Sequence, residues 1–243
     1  MFQIGGVMLN PDYVLIKMLK FISDQKFVNE RQLEAQFSIS KVNNPLAIKK
    51  RISKLFRDGY VRKNAGFDYK RKIDYTISSK GVALLKTVGI DCGEYMGVFT
   101  EASYKHIITI TDLRIYLEKL FPLDRWRNRE DIISNGEYRQ LGNEVLCPSA
   151  TFYHNDLGER WGIEYFLRYD SSVLENFQKY SLAIPRQFQQ IIFIFDDEVS
   201  ARRANMEFDK SFHYPASFIS YDEISSSTTT DHPIKPRGLS VAL

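Results

Sequence analysis

Cysteine is nearly missing from this chain: two in 243 residues, Cys92 and Cys147. That excludes a disulfide-stapled secreted scaffold, and neither thiol has a cysteine or histidine at metal-ligand spacing. Both read as ordinary buried or half-buried thiols of a reducing cytoplasm, where the protein is expected to reside, with a disulfide between them as the weaker alternative. Histidine is equally scarce, at four residues. His106 and His154 do not form a His-x-x-x-His pair, so no metal site is expected, and each reads as a half-buried hydrogen-bonding residue. No apolar run approaches the roughly 18–20 residues of a membrane span. No basic leader precedes an apolar stretch and small-residue cleavage site, so no signal peptide is expected. The phosphate-loop pattern G-x-x-x-x-G-K-[ST] and the nucleophile elbow G-x-S-x-G are both absent. No cofactor is expected.

What the chain does have is an uneven charge distribution. Residues 1–90 hold 17 Lys+Arg against 7 Asp+Glu, a balance of +10, and the remainder holds 16 against 23, a balance of −7. The overall +3 conceals a basic N-terminal part and an acidic C-terminal part. Most of the excess lies between Lys41 and Lys72, which points to a polyanionic partner, most simply nucleic acid. A solvated surface is the bland alternative. At 44% hydrophobic and 14% aromatic, the chain has material for two modest folded domains.

The N-terminal part reads as helix, helix, helix, hairpin, helix. Asn10 and Pro11 open the first helix, with Val14, Leu15, Met18, Leu19 and Ile22 on one face. Asn29 and Gln32 form a capping-box pattern before the second helix, with Leu33 and Phe37 inward. Asn44 and Pro45 open the third, which runs to Asp58 and stops at Gly59. Strands at Tyr60–Lys63 and Tyr69–Ile77 flank Asn64-Ala65-Gly66, a turn signal. Ser78 or Ser79 then caps a helix over Lys80–Val88.

Plotted at about 100° per residue, the third helix turns Ile48, Ile52, Leu55 and Phe56 inward. Lys50, Ser53, Lys54 and Arg57 fall on the other side, flanked by Lys49 and Arg51. Such a stripe suits a major groove between two phosphate backbones. Arg57 and Lys54 are candidates to pair with guanine, with Ser53 and Asn43 or Asn44 less decided. Arg62, Lys63, Lys70, Arg71 and Lys72 would track the adjacent backbone from the hairpin. This part, and above all Ile73 to Leu85 ("IDYTISSKGVALL"), resembles winged helix-turn-helix DNA-binding domains, which implies a double-stranded DNA partner.

After an irregular linker over 91–104, residues 105–224 alternate apolar strands with helices, as in an α+β or mixed α/β domain. Strands are expected at Ile107–Ile110, Ala150–Tyr153, Gly162–Leu167, Ile191–Phe195 and Ser217–Tyr221. Helices are expected at Thr111–Leu120, Glu130–Ile133, Ser172–Phe188, kinked or interrupted at Pro185, and Glu198–Phe208. The tail, 225–243, is rich in serine and threonine and reads as flexible. Asp196-Asp197-Glu198 reads as a helix start. Leu174, Phe177, Leu182 and Ile184 give the Ser172–Phe188 helix enough apolar surface for a homodimer contact, with packing on its own sheet as the equal alternative.

The segments "ITDLRIYL", "LCPSATFY", "WGIEYFLRYDSS" and "IIFIF" resemble, in order and spacing, the replication-relaxation family of plasmid and mobile-element proteins. That resemblance implies a winged helix followed by a PD-(D/E)XK nuclease-like α/β domain, and a role in replication, mobilisation or transcription regulation. A nuclease of that kind needs an aspartate after a turn, then an acid and a lysine on the next strand, to hold and use a divalent metal. The resemblance puts Ser149 at the aspartate, Glu164 at the acid and Phe166 at the lysine. The metal set is therefore short, and a nuclease-like domain without chemistry is expected. The alternatives are a migrated metal-dependent site around Glu130, Glu164 and Arg168, and a protein-interaction adaptor.

Overall fold

In the computed structural model, residues 2–4, 7–9, 13–38, 45–65, 73–94, 100–120, 122–137, 139–141, 144–183 and 187–227 are described. A short antiparallel hairpin, β1 (Phe2–Ile4) and β2 (Val7–Leu9), comes first. The expected helix start at Asn10 and Pro11 lies outside the described residues. α1 (Tyr13–Gln25) buries Met18, Leu19, Phe21 and Ile22, the 3.6-residue stripe its sequence carries. β3 (Val28–Asn29) leads into α2 (Glu30–Phe37). The capping box forms: Asn29 Oδ1 accepts from the Gln32 amide at 2.9 Å, and Gln32 Oε1 accepts from the Asn29 amide at 3.1 Å. α3 (Pro45–Arg57), β4 (Val61–Ala65), β5 (Ile73–Ile77) and α4 (Ser79–Thr87) complete the basic segment. The three strands pair antiparallel in the order β3-β5-β4. Ser78 is the cap of α4, accepting from the Gly81 amide at 3.1 Å.

Residues 101–120 form one helix, α5 (Glu101–Leu120). The strand expected at Ile107–Ile110 is therefore a correction: those residues are helical. Their β-branched apolar pattern suits either element, and a buried helix face accommodates it as well as a strand does. The chain divides into two units, Met1–Thr111 and Asp112–Leu243, and the division falls within α5.

The second unit continues with β6 (Leu123–Asn128), α6 (Arg129–Ser134), the hairpin β7 (Arg139–Leu141) and β8 (Glu144–Leu146), β9 (Ala150–His154) and β10 (Glu159–Phe166). Then come α7 (Ser171–Ala183), β11 (Gln190–Phe195), α8 (Glu198–Ser211), β12 (Ala216–Ser220) and α9 (Tyr221–Ser227). Five strands build one mixed sheet in the order β12-β11-β10-β9-β6, with β10, β11 and β12 parallel to one another and β9 antiparallel to both its neighbours, β10 and β6. The parallel strands are joined through α7 and α8, as parallel pairing requires.

Aromatic packing fills this unit's core. Phe177, Phe193 and Phe208 are at most 5% exposed, and the Phe177 and Phe193 rings lie 4.8 Å apart. Truncating one such ring costs about 3–5 kcal/mol. Phe177 is thus core, whereas Leu174 and Leu182 remain 36% and 63% exposed on α7. Ile184 and Pro185 lie outside the described residues. Both units together make a mixed α/β protein. Among the described residues, no helix is long and apolar enough to cross a membrane.

Candidate nucleic-acid interface and the buried carboxylate

The cationic surface is built on α3. Ile48, Ile52 and Leu55 are at most 2% exposed, which fixes the rotation of the helix about its axis. With that stripe inward, Lys49, Lys50, Ser53, Lys54 and Arg57 are exposed. Gly59 ends the helix with φ +77°, a backbone that β-carbon-bearing residues rarely adopt. The Gly59 amide donates to Phe56 O at 3.0 Å and the Tyr60 amide to Leu55 O at 2.9 Å, a Schellman ending. Ser78 Oγ donates to Gly59 O at 2.6 Å and Lys80 Nζ to Asp58 O at 2.8 Å, so the start of α4 is tied to the end of α3. Gly81 is held where a β-carbon would stand 2.3 Å from Tyr60 O, so only glycine allows this approach.

The cations on this surface are not equivalent. Lys49 Nζ lies 3.2 Å from Glu30 Oε1 and 3.3 Å from Glu34 Oε1, and those carboxylates of α2 hold its ammonium pKa above the ordinary value. Arg57 meets Asp58 at 3.6 Å, with 77% of its side chain exposed. Arg62 is paired to Glu94. Lys50 and Lys54 have no ion pair among the described residues. Lys63 Nζ lies 4.2 Å from the Phe56 ring centroid, and Phe56 is 42% exposed. Phe56 is therefore a surface residue, correcting its expected place in the core: it sits on the shoulder of the helix, and the β4 lysine covers it. Asn43, Asn44, Lys70, Arg71 and Lys72 lie outside the described residues.

In the second unit, Glu164 sits on β10 at 6% exposure with three donors around it. Oε1 accepts from Arg129 Nη2 and from Ser149 Oγ, each at 3.0 Å, and Oε2 accepts from Tyr180 OH at 2.6 Å. Arg129 Nη2 also donates to Cys147 O at 2.8 Å, and Ser149 Oγ accepts from the Tyr165 amide at 3.3 Å. Burial pushes the Glu164 carboxyl up, against the pull of Arg129, Tyr180 and Ser149. Burial, then Glu164 itself, push the Tyr180 phenol well above its ordinary range. Burial raises the Cys147 thiol, against the pull of Arg129.

Sequence reasoning singled out Glu164 and Ser149 and missed Arg129 and Tyr180. The structure joins Ser149 to Glu164, while neither Glu130 nor Arg168 makes a hydrogen bond or ion pair with them among the described residues. Both are exposed, Glu130 on α6 and Arg168 beyond the end of β10. Phe166 stacks on Phe195 with centroids 5.5 Å apart, which makes that side of the strand end apolar. His154 is buried at 3%, its ring 5.2 Å from that of Trp161, where a half-buried residue was expected. Asp197 caps α8, accepting from the Ser200 amide at 2.7 Å, and this bond holds its carboxyl below the usual range. Among the described residues, no group of three or more His, Cys, Asp or Glu side chains is placed to hold a metal ion.

No protein-family model matches this chain, and no curated protein does. Among solved structures, the organohalide-sensing RdhR transcriptional regulator in its 2,4-dichlorophenol-bound form is similar with a TM-score of 0.29 at 13% identity. The likeness covers 53% of this chain and 60% of that one.

Proposed function

We propose that the protein binds double-stranded DNA through the exposed face of α3, with the first unit acting as a winged helix-turn-helix. The observation that carries this reading is the opposition of two stripes on one helix: Ile48, Ile52 and Leu55 buried, Lys50, Ser53, Lys54 and Arg57 exposed. A helix held by its apolar side presents its cations as a set, and phosphate neutralisation by such a set dominates affinity. The element order and the capped α4 behind the β4–β5 hairpin support the same reading. Binding of a mixed-sequence duplex should weaken steeply between about 50 and 200 mM salt. Joint replacement of Lys50, Lys54 and Arg57 by alanine should cost several kcal/mol, at roughly 1 kcal/mol per lost contact. Unchanged binding by the folded triple variant would remove α3 from the interface.

The second unit, in this reading, is a PD-(D/E)XK-like scaffold without nuclease chemistry, as in the replication-relaxation family. Support comes from the Glu164 environment: a guanidinium, a hydroxyl and a phenol hold the carboxylate that a metal would otherwise need. The protein would then serve a plasmid or other mobile element as a transcription regulator or a replication or mobilisation accessory factor. Two half-sites one helical turn apart need a dimer. The exposed Leu174 and Leu182 on α7 support a homodimer through this unit, which light scattering on the full chain would test.

A further inference from the structure

Within the second unit, one concavity of about 140 Å³ gathers three arginines, although the sequence balance of that half is acidic. Arg125 and Arg127 of β6, Thr151 and Tyr153 of β9, Arg160 of β10 and Glu137 line it. Strand register explains the gathering. Arg127 stands opposite Thr151, and Tyr153 stands opposite Arg160. Residues opposed across an antiparallel pair share a sheet face, as do residues two apart on one strand, so Arg127 and Arg160 emerge on the same side. Between Asp124 and Arg127 the register slips, and Arg125 within the slip has φ +50°. Such a bulge on an edge strand re-aims a side chain. A left-handed arginine stores about 1–3 kcal/mol of strain, which the surrounding fold must hold in place.

The charges inside do not cancel. Among the described residues, Glu137 is the one carboxylate lining the concavity. Its Oε1 pairs with Arg127 Nη1 at 3.2 Å and its Oε2 with Arg160 Nη2 at 3.0 Å, so both oxygens are engaged. The Glu137 amide is anchored on Ile132 O at 2.9 Å in the turn after α6. Among the described residues Arg125 is ion-paired with Asp124 alone, at 3.8 Å, with 71% and 60% of the two side chains exposed. Its guanidinium carbon lies 5.5 Å from the Tyr153 ring centroid. Three guanidinium groups thus face one internal carboxylate, with N–H donors left over.

We propose that this concavity binds a phosphate group through Arg125, Arg127 and Arg160. Planar guanidinium forks match the oxygens of phosphate in pairs, which an ammonium cannot do. The volume is well under the roughly 300–1,000 Å³ of pockets that enclose whole small molecules, so the site suits the phosphate and not an entire nucleotide. The phosphate can belong to a DNA backbone, which would give the second unit its own nucleic-acid contact, or to a small free phosphate. Only the DNA source rests on the function proposed above.

The test uses the full chain, a labelled 40-base-pair mixed-sequence duplex over a salt series, and inorganic pyrophosphate in calorimetry. The variants are Arg125→Asn, which tolerates the left-handed backbone, and Arg160→Gln. Arg202→Gln, an exposed arginine of α8, is the charge control. A DNA source predicts that Arg125→Asn and Arg160→Gln each weaken duplex binding several-fold and lower the salt slope by about one, while Arg202→Gln does neither. A small-phosphate source predicts saturable pyrophosphate binding that both variants abolish, with duplex binding unchanged. If neither duplex nor pyrophosphate binding depends on Arg125 and Arg160 more than on Arg202, the proposal is overturned. The α3 reading is judged separately, on the Lys50, Lys54 and Arg57 triple variant, so either can fail alone.

Discussion

Arg129 Nη2 stands 3.0 Å from Glu164 Oε1, joining residues 35 positions apart in sequence. The pair is asymmetric, with the arginine side chain 43% exposed and the glutamate side chain 9%. The carboxylate has given up its water, whereas the guanidinium has kept part of its own. Removing the arginine therefore strands a buried charge, while removing the glutamate releases a cation that can still be hydrated.

Arg129→Ala should cost about 2–3 kcal/mol, less than a fully enclosed pair because Arg129 keeps contact with solvent. Glu164→Gln should cost less, since the amide keeps the volume and part of the hydrogen bonding. Urea unfolding of both variants at pH 7 checks the order. Equal losses would mean that the charge on Glu164 is not what Arg129 compensates.

The Arg129→Ala deficit should depend on pH. Burial places the folded-state carboxyl pKa of Glu164 above its unfolded value. Between those two values the folded state binds the extra proton, so the Glu164 contribution falls as pH rises through that window. Loss of Arg129 moves the folded value further up. The stability gap between wild type and Arg129→Ala should thus be small near pH 4 and widen toward neutrality. A gap constant over that range would contradict the assignment, and adding Glu164→Gln should flatten it.

Tyr180→Phe keeps the buried ring and deletes the 2.6 Å hydrogen bond to Glu164. A bond to a charged acceptor is worth about 1.5–3 kcal/mol. Thermal unfolding should report a loss in that range.

Gly81→Ala should destabilise the first unit by about 1–3 kcal/mol, because the new β-carbon meets the Tyr60 carbonyl, a backbone atom with little room to move. A substitution tolerated without loss of melting temperature would show that α4 can slide.

Glu30→Gln with Glu34→Gln should strengthen duplex binding. These carboxylates hold Lys49 beside the proposed interface, and their removal frees one cation and deletes two like-signed neighbours of phosphate. Anisotropy titrations at 100 mM salt measure the effect, and weaker binding would contradict the placement of the interface.

Supercoiled plasmid should stay intact with the protein in magnesium or manganese. Nicking that disappears in Glu164→Ala would make the second unit an enzyme.

Local chemistry made several elements legible. The Asn29–Gln32 capping box, the Ser78 cap and the apolar run ending at Phe195 are each written in a few adjacent residues. The edge strand β6 was not legible, because Leu-Asp-Arg-Trp-Arg-Asn carries charge on an edge and lacks the apolar alternation of a half-buried strand. Phe56 lies on the boundary of the buried stripe of its helix, and only the lysine on β4 settles which side it takes. The Arg129–Glu164 pairing depends on how β6 and β10 come to flank β9, and no spacing rule encodes that.

The parallel order of β10, β11 and β12 also bears on how the chain comes to be folded. A β9–β10 hairpin can close within a few residues, but β11 and β12 must each wait for an intervening helix, and such non-local closure is slow. Phe177 and Phe193 emerge from synthesis before Phe218, the β12 ring that stacks 5.4 Å from Phe193. A nascent chain halted before Ala216 would leave those rings uncovered beside an unpaired strand edge. That is a surface for chaperones, or for aggregation, that the finished sheet no longer offers.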